Sequence, residues 1–307
     1  MPQDPTPLHD LQTTPLAPGL YLVATPIGNL GDITLRALDV LRRADRIACE
    51  DTRHTQKLLN HFGIETPTIS CHEHNECARA TELIQDIKAG KAIAVVSDAG
   101  MPGISDPGAW LAGEAIAADV PVIPIPGANA ALSALIASGL PAGEFHFIGF
   151  LPEKAGARRT RLEQLAAEPR ESPRTLIFYE APHRILDTLA DLESVWGPSL
   201  KVVAARELTK IHEEFLRGTV ADIRKELASR ERVRGEFVLL IEASTTSIMG
   251  APGLASETWE KLSDRVARLQ TESGIDEKEA LKRLARELGQ SKSQMYRELQ
   301  RERARRR

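Results

Sequence analysis

The sequence predicts an α/β protein with two α/β domains and a small helical tail. In the first half, five short apolar segments each precede an amphipathic segment, the order expected for a parallel sheet covered on both faces. In the second half, successive hairpin-like strand patterns indicate a mixed sheet. From residue 257 onward, the apolar residues show only helical spacing.

The first domain is predicted to cover residues 19–138, as five strand-then-helix units. β-branched and other apolar residues concentrate in the strand patterns, and apolar residues recur at helical spacing between them. The strand patterns cover residues 20–25, 46–51, 66–71, 92–97 and 120–125. The helix patterns cover residues 34–43, 55–62, 76–88, 108–118 and 128–138. Residues 1–18 contain five prolines and are expected to be a disordered leader.

The second domain is predicted to cover residues 139–243. Its strand patterns lie at residues 145–150, 175–179, 201–205, 214–218 and 235–242. Its helix patterns lie at residues 156–168, 182–195 and 220–229. Residues 244–256, rich in Ser, Thr and Gly, are predicted to be a linker.

The tail, residues 257–307, is predicted to be a basic helical domain. Two amphipathic patterns, a turn at Gly289-Gln290 and a helix capped by Ser291 resemble a helix-turn-helix. Residues 261–307 carry 14 Lys or Arg against 8 Asp or Glu, although the whole chain of 307 residues has a net charge of −4. This distribution excludes a uniformly basic nucleic-acid coat but favours a polyanionic partner bound at one end. A solvated helical cap is the alternative interpretation.

Composition and sequence patterns also indicate the cellular compartment in which the protein is expected. With 42% hydrophobic and 27% charged residues, the chain is not expected to be disordered. The three cysteines, Cys49, Cys71 and Cys77, form no disulfide framework, and no signal peptide is recognisable. Prolines and glycines interrupt the uncharged stretch 120–143, so a membrane span is not expected. We therefore expect a cytoplasmic protein.

The loops that follow the five predicted strands of the first domain concentrate unusual residues. In a parallel sheet these loops share one edge, where ligands bind. The first loop lacks both G-x-G-x-x-G and G-K-[ST], which disfavours a nicotinamide or nucleoside-triphosphate enzyme. The fourth loop, residues 97–108, is long and glycine-rich, and Asp98 there could accept hydrogen bonds from a ligand's hydroxyls or amine.

A zinc site is not expected, although Cys71, His72, His74 and Cys77 lie close together. No second ligand pair follows at finger-like spacing. Ordinary polar contacts at a strand end explain them better.

Several motifs in order resemble the tetrapyrrole methylase family, and within it a branch that methylates ribosomal RNA. They are TPIGNLGD, CEDTRHTQKLL, HEHNE, SDAGMPGISDPG, PGANAALSAL, GFLPEK, TLIFYEAPHRI, ARELTKIHEEF and GEFVLLIE. The resemblance runs from about residue 20 to residue 242, and the basic tail resembles an extension found in that branch. One departure is Met101, which stands where the loop usually carries Thr.

The resemblance implies a fold of tetrapyrrole-methylase type with S-adenosylmethionine bound in a cleft between the two α/β domains. It also implies a homodimer that methylates the ribose 2′-hydroxyl of a cytidine in the decoding region of small-subunit ribosomal RNA. The assembled subunit is favoured as the substrate, but the sequence does not decide between it and free RNA. By position, the cofactor-binding residues would be Pro26, Ile27, Gly28, Asp98, Ala99, Gly100, Ile104, Ser105, Asn129, Ala130, Tyr179, Glu180 and Leu208.

A ribose hydroxyl is a poor nucleophile, so a general base or a cation should assist the transfer. At the predicted edge the candidates are Asp51, His74 and Lys210, and the sequence does not choose among them. The candidate RNA contacts are Arg53, Arg158, Arg159, Arg184 and Lys292.

Two other functions fit parts of the sequence. An enzyme of this fold could methylate a tetrapyrrole carbon, although a small macrocycle needs no basic helical arm. A nucleic-acid-binding regulator could use the tail alone, but the loops between residues 25 and 130 would then have no role.

Overall fold

The structure is a computed structural model that describes residues 15–72, 75–105, 108–168, 172–243, 262–287, 295–297 and 299. The chain divides into two compact units between residues 248 and 249, so both α/β sheets belong to the first unit and the basic tail to the second. The expected leader and linker lie almost entirely outside the described residues. None of the described helices has the length and apolar character to cross a membrane.

The first sheet has five parallel strands, as predicted. They are β1 (Gly19–Val23), β2 (Arg46–Cys49), β3 (Thr68–Ser70), β4 (Ala92–Val96) and β5 (Val122–Ile125). Their order across the sheet is β3-β2-β4-β1-β5. Chain-adjacent β1 and β2 are thus separated by β4, and the strand order reverses between β1 and β4, which places a topological switch point at their carboxyl ends.

Five helices connect and cover this sheet. They are α1 (Leu35–Arg43), α2 (Thr52–His61), α3 (Glu76–Lys88), α4 (Ala109–Ala117) and α5 (Ala130–Ser138). Side chains cap three of them: Thr34 for α1, Asp51 for α2 and Asn129 for α5 each accept a hydrogen bond from a first-turn backbone N–H. Because each cap closes a loop that follows a strand, the same residues that start the helices also shape the carboxyl edge of the sheet.

The second sheet is mixed and lies in the same compact unit. Its strands are β6 (Phe145–Phe150), β7 (Arg174–Glu180), β8 (Lys201–Arg206), β9 (Glu214–Thr219) and β10 (Phe237–Ala243), in the order β6-β7-β10-β8-β9. β6 and β7 pair in parallel, and the other described pairs of this sheet are antiparallel. The helices of this half are α6 (Ala155–Ala167), α7 (Ile185–Trp196) and α8 (Val220–Ala228), and one apolar core joins them to one face of the sheet.

Helix α5 covers the opposite face of the second sheet. Ala131, Ala134 and Leu135 of α5 form one buried cluster with strand residues of β7, β8 and β10. The sequence predicts a domain boundary at residues 138/139, directly after this helix. The packing of α5 attaches the first sheet to the second and fixes how their edges face each other.

The second unit contains α9 (Leu262–Ser273) and α10 (Glu277–Glu287). The apolar residues expected on α10, among them Ala280, Leu281 and Leu284, are buried together with Val266 of α9. Met295 and Leu299 join the same cluster, as their spacing predicts. The expected turn at residues 289–290, the cap Ser291 and Lys292 lie outside the described residues.

The three cysteines are free thiols in two environments. Cys49 at the end of β2 and Cys71 after β3 are buried, whereas Cys77 in the first turn of α3 is exposed. Burial is the largest cause that raises the pKa of Cys49, and it raises the pKa of Cys71 to about 11. Both buried thiols therefore stay protonated at neutral pH.

A buried ion pair anchors α6 to α7. Arg158 donates from Nε to Asp191 at 2.8 Å, and both side chains are nearly inaccessible to solvent. The neighbouring Arg159 also donates to Asp191, at 3.0 Å, but its side chain is 54% exposed. Arg158, which the sequence predicts as an RNA contact, is therefore placed inside the protein.

We expect Arg158→Ala to lower the free energy of unfolding by about 3 kcal/mol, because it leaves the Asp191 carboxylate buried and only partly compensated. Arg159→Ala is the matched control and should cost less than about 1 kcal/mol, since its guanidinium is largely solvated. Urea unfolding followed by circular dichroism measures both. Equal losses for the two variants would contradict the importance assigned to the buried pair.

Candidate active site

The loops after β1 and β4 meet at the switch point of the first sheet. The backbone N–H of Thr25 donates to the carbonyl of Gly100 at 2.8 Å, and that of Gly100 donates back to Thr25 at 3.2 Å. The Thr25 hydroxyl donates to the Ser97 carbonyl at 3.2 Å. These reciprocal bonds extend the pairing of β1 and β4 beyond the strands and join the two loops into one wall.

One side of this wall faces a cavity of about 470 Å³, which we call the inter-sheet cleft. Loops that follow strands of the first sheet line it together with residues of the second sheet. Ten of the thirteen residues that the sequence predicts at the cofactor site line this cleft: Ile27, Ala99, Gly100, Ile104, Ser105, Asn129, Ala130, Tyr179, Glu180 and Leu208. The sequence thus identified residues that lie up to 181 positions apart in the chain and meet around one space.

The other side of the wall faces a second cavity of about 310 Å³, which we call the α2 cavity. The three remaining predicted residues, Pro26, Gly28 and Asp98, line this cavity and not the inter-sheet cleft. Neighbouring residues in each loop therefore face opposite sides: Ile27 and Ala99 face the cleft, whereas Pro26 and Asp98 face the α2 cavity.

Backbone conformation brings the fourth loop close to the cleft. Gly100 has a φ of +87°, and Ser105 has a φ of +61°, both in the region that L residues seldom adopt. A Cβ on Gly100 would lie 3.3 Å from Ile27. The end of the loop is anchored by the buried Glu76 carboxylate, which accepts hydrogen bonds from the backbone N–H groups of Gly108 at 3.0 Å and Leu111 at 3.3 Å.

The second sheet supplies an aromatic and a buried carboxylate to the cleft. The Tyr179 ring packs edge-on against Phe147 and Phe150, with centroids 5.1 and 5.6 Å away. Glu180 is 2% exposed and accepts hydrogen bonds from the Thr188 hydroxyl at 2.6 Å and the Ala181 N–H at 2.9 Å. These contacts hold the Glu180 carboxylate in place. Of the two residues, Tyr179 presents the larger surface to the cleft.

Lys210 connects the second sheet to the loop after β1. A Cβ on Gly28 would lie 2.4 Å from Cγ of Lys210, so only glycine admits this crossing. Burial disfavours the charged ammonium, but hydrogen bonds to Glu207 at 2.8 Å and Glu236 at 2.9 Å outweigh burial and raise the pKa of Lys210. The turn that carries it is constrained, with Glu207 and Thr209 at positive φ.

The three candidates for catalytic assistance are thus placed differently. Asp51 caps α2 and pairs with Arg53, whose hydrogen bonds lower the pKa of the Asp51 carboxyl to about 2, making it a weak base. Lys210 lines the cleft as a cation whose charge two carboxylates balance. His74 lies outside the described residues.

The remaining candidate RNA contacts differ in availability. Arg53 is 88% exposed and paired with Asp51, and Arg159 is exposed beside Asp191. Arg184 is mostly buried, donates to the carbonyls of Leu151 and Pro152, and pairs with Glu180. Its contacts hold the loop after β6 near the cleft.

Sequence reasoning missed one face of α2. His54, Lys57, Leu58 and His61 line the α2 cavity, and their positions follow the helical spacing of i, i+3, i+4 and i+7. That spacing was available in the sequence as a signal. In the part of the chain that the structure describes, no three side chains of His, Cys, Asp or Glu are arranged to hold a metal ion.

The inter-sheet cleft fits a molecule of the size and polarity of S-adenosylmethionine. Its volume lies within the range of about 300–1,000 Å³ common for small-molecule sites. Ile27, Leu208 and Val238 give it apolar walls, and Tyr179 supplies an aromatic surface. The glycine backbone at Gly100 allows close approach to polar main-chain groups.

The chain matches the family described as Tetrapyrrole (Corrin/Porphyrin) Methylases over residues 19–224. It is 48% identical over 279 residues to ribosomal RNA small subunit methyltransferase I of Halalkalibacterium halodurans, covering 90% of this chain and 93% of that protein. It is 47% identical to the protein of the same name from Synechocystis sp., covering 90% and 95%.

Among solved structures, uroporphyrin-III-C-methyltransferase from Thermus thermophilus has the same fold. The TM-score is 0.51 at 22% sequence identity. The alignment covers 74% of this chain and 94% of that one, so nearly the whole of the uroporphyrin enzyme has a counterpart here while about a quarter of this chain has none there.

We expect Gly28→Ala to weaken S-adenosylmethionine binding about tenfold, or about 1.4 kcal/mol, because the new methyl displaces Lys210 and the turn that carries Leu208. Isothermal titration calorimetry measures this. Gly90→Ala is the control: Gly90 also has positive φ but nothing within 4 Å, so it shares the backbone strain of about 1–3 kcal/mol without the contact. Unchanged affinity in Gly28→Ala would show that this crossing does not shape the cleft.

Proposed function

The chain belongs to the tetrapyrrole methylase family, and we propose that it methylates the 2′-hydroxyl of a cytidine ribose in the decoding region of small-subunit ribosomal RNA. More coarsely, it is an S-adenosylmethionine-dependent ribosomal RNA methyltransferase, like the relatives that match it over most of their length. We further propose that the assembled small subunit is the substrate and that the reaction takes place in the cytoplasm.

The observation that carries this proposal is the degree of sequence identity. The two ribosomal RNA methyltransferase relatives are 48% and 47% identical to the chain, whereas the uroporphyrin enzyme is 22% identical although it shares the fold. The chain is therefore far more similar in sequence to the RNA enzymes than to the uroporphyrin enzyme. A basic tail suits a polyanionic substrate, because neutralised phosphates supply much of the affinity for RNA.

S-adenosylmethionine supplies an electrophilic methyl group on a sulfonium. Such a transfer is an in-line displacement, in which the protein contributes mainly position and alignment. Here the wall of Thr25 and Gly100 fixes one side of the cleft, and Tyr179 and Leu208 fix the other. Asn129 caps α5 through its Oδ1 and lines the cleft, so the start of that helix lies beside this space.

A tetrapyrrole methylase acting on a macrocycle is the second candidate. The fold likeness to the uroporphyrin enzyme favours it. The α2 cavity argues for a different acceptor, because its exposed polar side chains include two histidines and a lysine.

The decisive experiment supplies wild-type protein and S-adenosylmethionine with small ribosomal subunits that lack the modification. Nucleoside mass mapping should find one methyl group gained on the ribose of a cytidine in the decoding region. Methylation of a uroporphyrinogen with no gain on RNA would instead support the second candidate.

In the same assay, Leu208→Arg should reduce methylation by more than about 100-fold, since it forces a charge into an apolar wall of the cleft. Ile211→Arg is the matched control, because Ile211 lies three residues further along and is 97% exposed. It should bind S-adenosylmethionine as the wild type does. Retained activity in Leu208→Arg would remove Leu208 from the cofactor site.

We also propose that the chain acts as a homodimer, which the outer face of α5 supports. Leu132 and Ile136 lie one turn apart there and are 45% and 82% exposed, while the inner face packs on the second sheet.

Ile136→Glu should shift the molecular mass measured by light scattering from dimer toward monomer, because it buries a charge at an apolar contact. The control Ile211→Glu changes an even more exposed isoleucine outside α5 and should remain dimeric. A wild-type protein that is monomeric at all concentrations would contradict the proposal.

A further inference from the structure

The α2 cavity is separated from the inter-sheet cleft by a wall only two loops thick. Adjacent residues alternate across it, with Asp98 on the α2 side and Ala99 on the cleft side, and with Gly28 and Ile27 in the same relation. Gly28, which lines the α2 cavity, also contacts Lys210, which lines the cleft. The two cavities therefore meet around Gly28.

We propose that the α2 cavity receives the nucleotide whose ribose is methylated, with Asp98 as the acceptor of a hydrogen bond from that ribose and Lys57 as a phosphate contact. This inference rests on the proposed function, and it specifies where the RNA enters. It gives Asp98 a role toward the acceptor, in place of the cofactor contact that the sequence predicts.

The carboxylate of Asp98 carries the first step of the argument. Its Oδ1 atom is buried and has no hydrogen-bond partner among the residues that the structure describes. Buried carboxylate oxygens are normally satisfied, and Asp98 is one of the residues that line the α2 cavity. A donor supplied by a ligand in that cavity would complete the hydrogen bonding of this carboxylate. A ribose presents hydroxyl donors of the required kind.

The face of α2 that lines the cavity carries a positive charge. Lys57 is exposed at the cavity and forms no ion pair within the described part of the chain, and His54 and His61 flank it on the same helix face. A cation without a carboxylate partner beside two imidazoles suits a phosphate.

The apolar part of the cavity carries the third step. Leu30 and Leu58 both line the space. Leu30 is 40% exposed and begins the 3-10 turn Leu30–Asp32, and Leu58 belongs to α2. Apolar side chains of this kind contact the face of a base that has left its stack. Hydroxyl acceptor, phosphate contact and apolar surface therefore occur together in about 310 Å³, which is enough for one nucleotide.

The proposal is tested with the full-length chain, small subunits lacking the modification, and two variants. Asp98→Asn keeps the shape of the side chain and removes its charge, and it should bind S-adenosylmethionine within about twofold of wild type while kcat falls by about 100-fold or more. Lys57→Ala should raise KM for the subunits about tenfold and reduce the dependence of log KM on log salt by about one.

Lys88→Ala is the control for Lys57→Ala, since it removes the same charge from an exposed position in the last turn of α3, outside both cavities. It should leave KM unchanged. Calorimetric binding of S-adenosylmethionine by every variant reports whether the fold is intact.

Different results would contradict the proposed function and the assignment of the α2 cavity. Wild-type protein that methylates no RNA would overturn the proposed function itself. If wild type is active but Asp98→Asn loses cofactor affinity and keeps its KM and kcat at saturating cofactor, Asp98 faces the cofactor and the inference is wrong. An unchanged KM and salt dependence in Lys57→Ala would equally overturn it.

Discussion

The rest of the site depends on the pairing of β1 with β4. These strands are chain-distant but adjacent in the sheet, and their loops continue the pairing through the reciprocal hydrogen bonds of Thr25 and Gly100. These reciprocal bonds restrict both loops, because the backbone of each loop supplies the hydrogen-bond partners of the other. Two cavities of different character therefore share one thin wall and meet around Gly28.

The second constraint is the packing of α5 on the sheet of the other half. Helix α5 is the last helix that covers the first sheet, and it also packs on one face of the second sheet. The edges of the two sheets therefore face a common space. Lys210 reinforces this arrangement at the opposite side of the cleft, since its stem lies where Gly28 has no side chain and its ammonium is held by Glu207 and Glu236. The cleft is thus defined by contacts between residues remote in sequence.

Sequence reasoning performed well where local pattern decides the structure. The helix at Glu76–Lys88 and the strand at Phe145–Phe150 have the predicted bounds, and the other elements of the two sheets differ from their predictions by at most three residues at either end. Apolar periodicity fixes such elements because burial rewards one face. The 3-10 turn at Leu30–Asp32 was not predicted, since a single turn has no periodicity to detect.

Other features could not be read from the sequence because they depend on tertiary contact. Nothing in a local pattern distinguishes the buried Arg158 from the exposed Arg159, which are neighbours on one helix and share Asp191. The division of the cofactor candidates between two cavities is likewise a property of the wall and not of either loop. The resemblance identified loops that line the two cavities, and only the fold separates their two sides.

The cysteine environments have a practical consequence for studying this chain. A thiol reacts with alkylating reagents as its thiolate, so the buried Cys49 and Cys71, with raised pKa values, are poor targets in the folded state. Cys77 is exposed and stands in the first turn of α3, next to the Glu76 that anchors the end of the fourth loop. A maleimide fluorophore would therefore attach at one native position and report on that loop without any engineered cysteine.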